Sequence, residues 1–241
     1  VKYGVFSDVH GNLEALEAVL KDMEKEGCQK YWCLGDLVGY GANPNECVAK
    51  IRAIADQTVL GNHDSASVGL EETAHFNRYA REAVEWTASQ LLPFNRDWLK
   101  SLPYTAMVDG ILLVHASPAE PRSWRYMNYI ADMLKGFKAL EGNLAFIGHS
   151  HQPMILINRG EEFFSINSEE YRVEEGLRCI VNVGSVGQPR DNIPDASYVI
   201  WEPETRMVRQ KRVGYDVATA QRKIREAGLP EILAARLETG N

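Results

Sequence analysis

The sequence contains no apolar run approaching the roughly 20 residues that cross a bilayer. It also lacks an excess of basic charge, because 26 lysines and arginines against 33 aspartates and glutamates leave a formal net charge of -7. That balance argues against broad capture of a nucleic-acid backbone, which needs a basic face. Cysteine is scarce: Cys28, Cys33, Cys47 and Cys179 show no CxxC spacing and have no adjacent histidine. Neither a zinc finger nor a thioredoxin-type pair is therefore supported, and buried thiols in a reducing cytoplasm are expected instead. Internal repeats, low-complexity tracts and an evident linker are missing as well.

What remains is an ordinary globular composition, 45% hydrophobic and 24% charged over 241 residues, enough for a sizeable core and most simply one domain, 1–241. The opening VKYGVFS reads as a first strand rather than a secretory leader, with Asp8 following at once. Leu13, Leu16, Leu20 and Met23 then recur at helical spacing up to Gly27. Strand signals return at Lys30 to Leu34 and Thr58 to Leu60, with a helix over Cys47 to Ala55 between them. This βαβαβ order predicts a parallel sheet with helices on its faces.

From Leu70 to Leu102 the pattern becomes largely helical, so a mainly helical insertion is expected at about 66–102. Asp109-Gly110 between two apolar runs signals a two-residue hairpin joining Thr105–Val108 to Ile111–His115. A helix over Asn128 to Leu140 is expected next, then strands at 144–147, 154–158, 162–166, 178–183, 197–201 and 207–213. A final helix from Val217 to Leu237 should break near Gly228-Leu229-Pro230. Two sheets flanked by helices suit this order better than one doubly wound sheet.

Chemistry-bearing residues gather at the ends of the strand-like runs: Asp8-Val9-His10, Gly35-Asp36, Gly61-Asn62-His63-Asp64, His115, and Gly148-His149-Ser150-His151. Five of the 6 histidines fall there, and only His75 lies elsewhere. The carboxyl ends of parallel strands line a common crevice, so side chains remote in sequence can converge. Carboxylate, amide oxygen and imidazole together suit divalent ions of borderline softness. On extended chain, residues i and i+2 face the same side, which would point both members of Asp-x-His and His-x-His at one site. The glycines beside them would permit sharp turns and close approach.

In this order the motifs D-x-H, G-D, G-N-H-D, H and G-H-x-H resemble those of the calcineurin-like metallophosphoesterase superfamily, from Asp8 to His151. Asn182 to Arg190 is similar to the segment that follows in its small bacterial and archaeal phosphoesterases. The resemblance implies a four-layer α/β/β/α sandwich of two mixed β-sheets flanked by helices. It implies two divalent transition-metal ions (Mn, Fe, Zn, Ni or Co), one held by Asp8, His10, Asp36 and His151, the other by Asp36, Asn62, His115 and His149. Two such ions about 3.5 to 4 Å apart activate a hydroxide that attacks phosphorus directly. His63 would serve the leaving group and Asp64 would orient it.

The sequence departs from the protein phosphatases and symmetrical diadenosine tetraphosphatases of that superfamily, whose G-D-x-x-D-R-G carries a phosphate-holding arginine. Here the stretch reads Gly35-Asp36-Leu37-Val38-Gly39-Tyr40-Gly41. Arg122, Arg125 and Arg190 are the candidates to replace it, while Tyr40, Asn43, Trp124 and Tyr126 are candidates to cradle a leaving group. The expected activity is hydrolysis of a small phosphomonoester or phosphodiester, nucleotides included, in the cytoplasm. The competing readings are a metal-binding scaffold of the same fold and a nuclease, the latter disfavoured by the acidic balance. Oligomeric state is not readable from the pattern.

Overall fold

A computed structural model describes residues 1–160 and 162–241. The chain opens with β1 (Tyr3–Phe6), α1 (Leu13–Lys25), β2 (Lys30–Cys33), α2 (Pro44–Ile54) and β3 (Gln57–Thr58). Three helices follow, α3 (Asn62–Ser67), α4 (Arg78–Gln90) and α5 (Pro93–Ser101), then the hairpin β4 (Thr105–Val108) and β5 (Ile111–Val114). Next come α6 (Ile130–Ala139), β6 (Leu144–Ile147), β7 (Met154–Arg159), β8 (Glu162–Ile166), β9 (Glu170–Arg172) and β10 (Arg178–Asn182). The strands β11 (Ala196–Glu202) and β12 (Met207–Val213) precede α7 (Val217–Glu226) and α8 (Glu231–Thr239).

Two mixed sheets of six strands result. The first has the order β3-β2-β1-β11-β12-β9, the second β4-β5-β6-β10-β7-β8. In each, neighbouring parallel strands carry the motif residues at their carboxyl ends: β1 and β2 pair in parallel, as do β5 and β6. Period-two alternation explains why the sheets stack. Val5, Trp32, Val199 and Trp201 of the first sheet meet Leu113, Phe146, Ile157 and Val181 of the second in one buried cluster. The intervening residues face outward to helices: Phe6, Tyr198 and Ile200 pack with Leu16, Val19 and Ile51 of α1 and α2. On the far side Val114, Ala145, Leu156 and Ile180 pack with Phe137 of α6. The order of layers is α/β/β/α.

Local chemistry fixes the helix starts. Asn12 and Asn77 accept hydrogen bonds from Ala15 N and Ala80 N at 3.1 and 3.0 Å, satisfying first-turn donors of α1 and α4. Pro44 and Pro93 open α2 and α5, where a missing N–H costs nothing. The helical stretch expected from Leu70 therefore starts only at Arg78, after its Asn77 cap, and is divided at Pro93. The tail breaks where expected, between α7 and α8, at Gly228 to Pro230.

Three details differ from the sequence pattern. The third strand is Gln57–Thr58, because Leu60 N leaves the ladder to bond Pro103 O at 2.8 Å. Asn62–Ser67 is a short helix without an apolar stripe, its polar His63, Asp64, Ser65 and Ser67 buried. β9 is a three-residue strand with exposed glutamate and arginine, paired on β12.

Candidate metal centre

The first sheet delivers Asp8 and His10 beyond β1, Asp36 beyond β2, and Asn62 and His63 on α3. The second delivers His115 beyond β5 and His149 and His151 beyond β6. All the motif ligands except Asn62 are buried. The loops are tied together by backbone bonds, Asp8 N to Gly35 O at 3.0 Å, His10 N to Asp36 O at 2.9 Å and Gly41 N to His10 O at 2.8 Å.

The convergence is not that of an extended strand. Asp8, His10, Asp36, His149 and His151 have φ of 55°, 50°, 52°, 66° and 61°, left-handed backbone that costs a side-chain-bearing residue energy. Each pair of ligands reaches one site because the chain coils just past its strand, not because i and i+2 share a strand face. Gly148 makes the junction of the sheets possible. A Cβ there would overlap Ser7 Oγ and Asp8 Oδ2, and its absence lets His149 N donate to Asp8 Oδ2 at 2.9 Å.

Backbone carbonyls set the imidazole tautomers. Val38 O, Leu34 O and Gln188 O lie 3.1, 2.8 and 2.5 Å from Nδ1 of His10, His115 and His151. A carbonyl only accepts, so each Nδ1 carries a proton and each Nε2 faces the centre, the usual support for a ligating histidine. His10 Nε2 and His151 Nε2 face each other at 3.1 Å, and two such nitrogens need a proton or a cation between them. Asp8 Oδ1, 3.2 Å from His151 Nε2, is buried with no hydrogen-bond partner among the described residues. Asp36 is engaged from one side only: Oδ1 accepts from His63 N at 2.8 Å. Its Oδ2 lies 3.7 Å from His10 Nε2 and 3.3 Å from His115 Nε2.

Three groups of side chains bring ligand atoms within 4.8 Å of one another: Asp8, His10 and His151; His10, Asp36 and His63; Asp36, His115 and His149. Mixed imidazole and carboxylate donors, an orphaned carboxylate oxygen and opposed imidazole nitrogens fit a divalent cation. Asn62 Oδ1 stands 3.2 Å from His115 Nε2 and so belongs to the last group.

Burial opposes ionisation of Asp8 and Asp36, yet the surrounding histidines outweigh it and hold both carboxyls below the usual range. Burial also pushes down His149, to about 3, and His151, to about 4, with the His115 and Arg190 charges respectively next in size. His115 goes the other way despite burial, because Asp36 raises it to about 9. His63 is pushed well below its ordinary value by burial.

Asp64 does not meet the His63 ring. Its carboxylate accepts from Leu37 N, Val38 N and Gly61 N at 2.8, 3.1 and 3.2 Å, and His63 Nδ1 is buried without a partner among the described residues. Asp64 thus braces the Gly35 to Val38 turn against the start of α3. Burial, then the Asp36 charge, pushes it up to about 8.

The centre opens into a cleft of about 570 Å³ lined by Asn62, His63, Phe76, Trp124, Tyr126 and Arg190, among others. Tyr126 stacks on His149 at 4.3 Å, and Tyr40 packs on His63 at 4.4 Å. Arg190 lines the cleft and reaches the Tyr40 hydroxyl at 3.3 Å. Arg122 lines it too, with its guanidinium 4.5 Å over the Tyr104 ring. Arg125 does not join them: it is exposed, 3.4 Å from Glu120, and lines a separate pocket. Asn43 is held instead by Glu46 and Lys223.

Sequence reasoning missed Glu71, whose carboxylate takes the Trp124 indole N–H at 2.6 Å, together with Phe76 and Asn77 on the same wall. It placed His75 away from the site, but this exposed residue stands on the cleft wall. The carbonyls of Leu34 and Val38 were out of reach, since any residue type supplies one. No local signal links Glu71 to a tryptophan 53 positions away.

A family model described as the calcineurin-like phosphoesterase superfamily domain matches residues 1–206. An uncharacterized protein of Methanocaldococcus jannaschii is 40% identical over 98% of this chain and 97% of its own. The crystal structure of a metallophosphoesterase from Sphaerobacter thermophilus superposes with a TM-score of 0.88 at 41% identity, covering 100% of this chain and 99% of that one. A hypothetical protein from Pyrococcus horikoshii shares the fold, with a TM-score of 0.77 at 19% identity over 100% and 98% of the two chains.

Proposed function

The chain belongs to the calcineurin-like phosphoesterase superfamily, a family of metal-dependent hydrolases of phosphoester bonds, and from that premise we propose that it cleaves a small phosphorylated molecule with the help of two divalent cations. The observation that carries this reading is Asp36 Oδ2, one oxygen facing the histidines of both outer ligand groups. Asp8, His10, Asp36 and His151 would hold one cation, and Asp36, Asn62, His115 and His149 the other. Bound there, the pair would supply Lewis acidity and lower the pKa of water at the floor of the cleft.

The protein's own groups do the rest. Three carbonyls and the His149–Tyr126 stack fix the imidazoles before substrate arrives, so little reorganisation is left for the reaction itself. Arg122 offers its guanidinium to phosphoryl oxygens, and Arg190 lines the same cleft. His63 is neutral because it is buried, and a substrate dianion beside it favours uptake of a proton. That proton can then pass to the departing oxygen, which becomes a hydroxyl. Asp64 acts on His63 only through the backbone of α3.

A second reading has its own observation, since His63 also falls in a group with His10 and Asp36. There His63 would be a ligand. Cation content of a His63→Ala variant separates the two readings.

We read the chain as one domain in which residues of about 66–102 pack over the crevice as an insertion, Phe76 and Asn77 reaching the cleft. Among the described residues no helix is long and apolar enough to cross a membrane. Four buried, unpaired thiols support a reducing, cytoplasmic setting. The test is a screen of phosphomonoesters, cyclic nucleotides and linear diesters by kcat/KM after chelator treatment and reloading with Mn, Fe, Co, Ni or Zn. Two cations per chain and turnover restored by reloading are expected; one cation per active chain would overturn the dinuclear reading.

A further inference from the structure

Arg190 and Arg236 are half-buried and have no carboxylate partner among the described residues; Arg96, Arg178 and Arg206 share that state but each is met by a backbone carbonyl, which Arg190 and Arg236 are not. Their contact is with an amide. Gln188 Oε1 receives Nη2 and Nε of Arg190 at 2.9 and 3.3 Å and Nη1 of Arg236 at 3.2 Å. An amide oxygen has two lone pairs, so three N–H groups oversubscribe it. Two further donors find no acceptor among the described residues: Nε2 of Gln188, a residue only 1% exposed, and Nε of Arg236 are both buried.

The carboxylates of this region face elsewhere. Asp191 pairs with Arg212 through Oδ2, while its buried Oδ1 makes no ion pair with Arg190 or Arg236; Glu71 holds the Trp124 indole, and Asp64 is taken by three backbone amides. Half-buried guanidiniums without a counter-charge are costly unless something anionic joins them. The cluster also adjoins the metal centre, because the Gln188 carbonyl accepts from His151 Nδ1 while Arg190 lines the cleft.

Formal charge points the same way. Two divalent cations, the carboxylates of Asp8 and Asp36, and the dianion of a phosphomonoester sum to zero; the attacking hydroxide is offset by the proton on His63, and Arg122 serves the scissile group. The two arginines are left over. We infer that Arg190, Gln188 and Arg236 form a second anion subsite, and that the natural substrate is a phosphoester carrying a second phosphate, or a similar dianion, beside the scissile group. This inference rests on the phosphoesterase reading above. Arg236 lies on α8, beyond residues 1–206 that the family model matches.

The test pairs bisphosphorylated sugars and nucleosides with their monophosphates on the Mn-loaded protein. At least one bisphosphate should exceed its partner by tenfold or more in kcat/KM. Arg236→Gln should bring that ratio close to one, and Arg236→Lys should restore part of it. The exposed Arg222→Gln serves as control and should leave the ratio unchanged. If every bisphosphate matches or trails its monophosphate, or if Arg236→Gln lowers both members of a pair equally, the subsite is wrong while the phosphoesterase reading stands.

If no phosphoester turns over, that reading fails, and the subsite is judged by binding alone. At fixed free Mn²⁺, methylenediphosphonate should then protect against thermal unfolding at a tenfold lower concentration than methylphosphonate. Equal half-protecting concentrations would overturn it.

Discussion

The two sheets are alike in size but not in what they bring to the crevice. The first supplies every candidate oxygen donor, Asp8, Asp36 and Asn62, with His10 and His63; the second supplies imidazoles alone, His115, His149 and His151. Both carboxylates therefore sit on one wall, while the other carries nitrogen donors only. The walls also differ in how they are held. On the first, ligand loops brace one another through backbone bonds and the Asp64 carboxylate. The second borrows its alignment, His115 from Leu34 O and His149 N from Asp8 Oδ2. The lesson is one of dependence: the imidazole wall can be damaged locally, whereas the carboxylate wall carries both.

Asp36→Asn is the sharpest way to break that asymmetry. Removing the charge shared by both ligand groups should strip both cations and reduce turnover to background, read by metal analysis alongside activity. His149→Ala should cost one cation only. If Asp36→Asn loses a single cation, the walls are independent and the comparison fails.

Next in size, His63→Ala should keep its cations yet lose about 10² to 10⁴ in kcat for substrates with poor leaving groups, and much less for p-nitrophenyl phosphate, as expected for removal of an acid catalyst. Equal losses for both substrates would remove His63 from that role.

Gly148→Ala probes the seam between the walls. The added methyl meets Ser7 and Asp8, on the far sheet, and should cost about 1–3 kcal/mol of stability, as overpacking does, with weakened cation binding. Thermal unfolding and titration with Mn²⁺ measure both. Unchanged values would show that the walls can slide apart freely.

A gentler effect separates His115 from its neighbours. With its value raised to about 9 beside Asp36, it is protonated at neutral pH and must release that proton to ligate. Apparent cation affinity should thus rise about tenfold per pH unit until about 9 and then level off, seen by calorimetry in buffers of different ionisation enthalpy. The sign reverses for the metal-free fold: a raised histidine contributes stability in full below about 6.5, its ordinary value, and the contribution fades as pH climbs through about 9. His149 and His151, pushed down to about 3 and 4, are already neutral near pH 7 and add nothing to the cation slope above it. They do make the metal-free fold lose stability as pH falls through about 6.5, where only the unfolded chain takes up their protons.

Much of this was legible in the sequence because apolar runs mark the strands and the motif residues follow them directly. The limits are equally physical. β9 was invisible because an edge strand with exposed glutamate and arginine has no buried face to impose alternation. The helix at Asn62 was missed because its buried residues are polar, chosen for the site rather than for a core. Same-face geometry for His149 and His151 was the wrong reason for a right convergence, since periodicity does not register a turn into left-handed backbone. Arg125 looked equivalent to Arg122 in the same loop. The turn through Pro121–Ser123 sends the two side chains to different pockets.

Five candidate ligand residues with φ between 50° and 66° set this protein's working parts against its own durability. Glycine would occupy each of those positions at lower backbone strain, so the chain gives up stability for chemistry at every one. Selection for heat resistance alone, without a demand for turnover, would be expected to erase Asp8, His10, Asp36, His149 and His151 in favour of glycine. A library screened that way would trace the outline of the catalytic centre in the residues it discards.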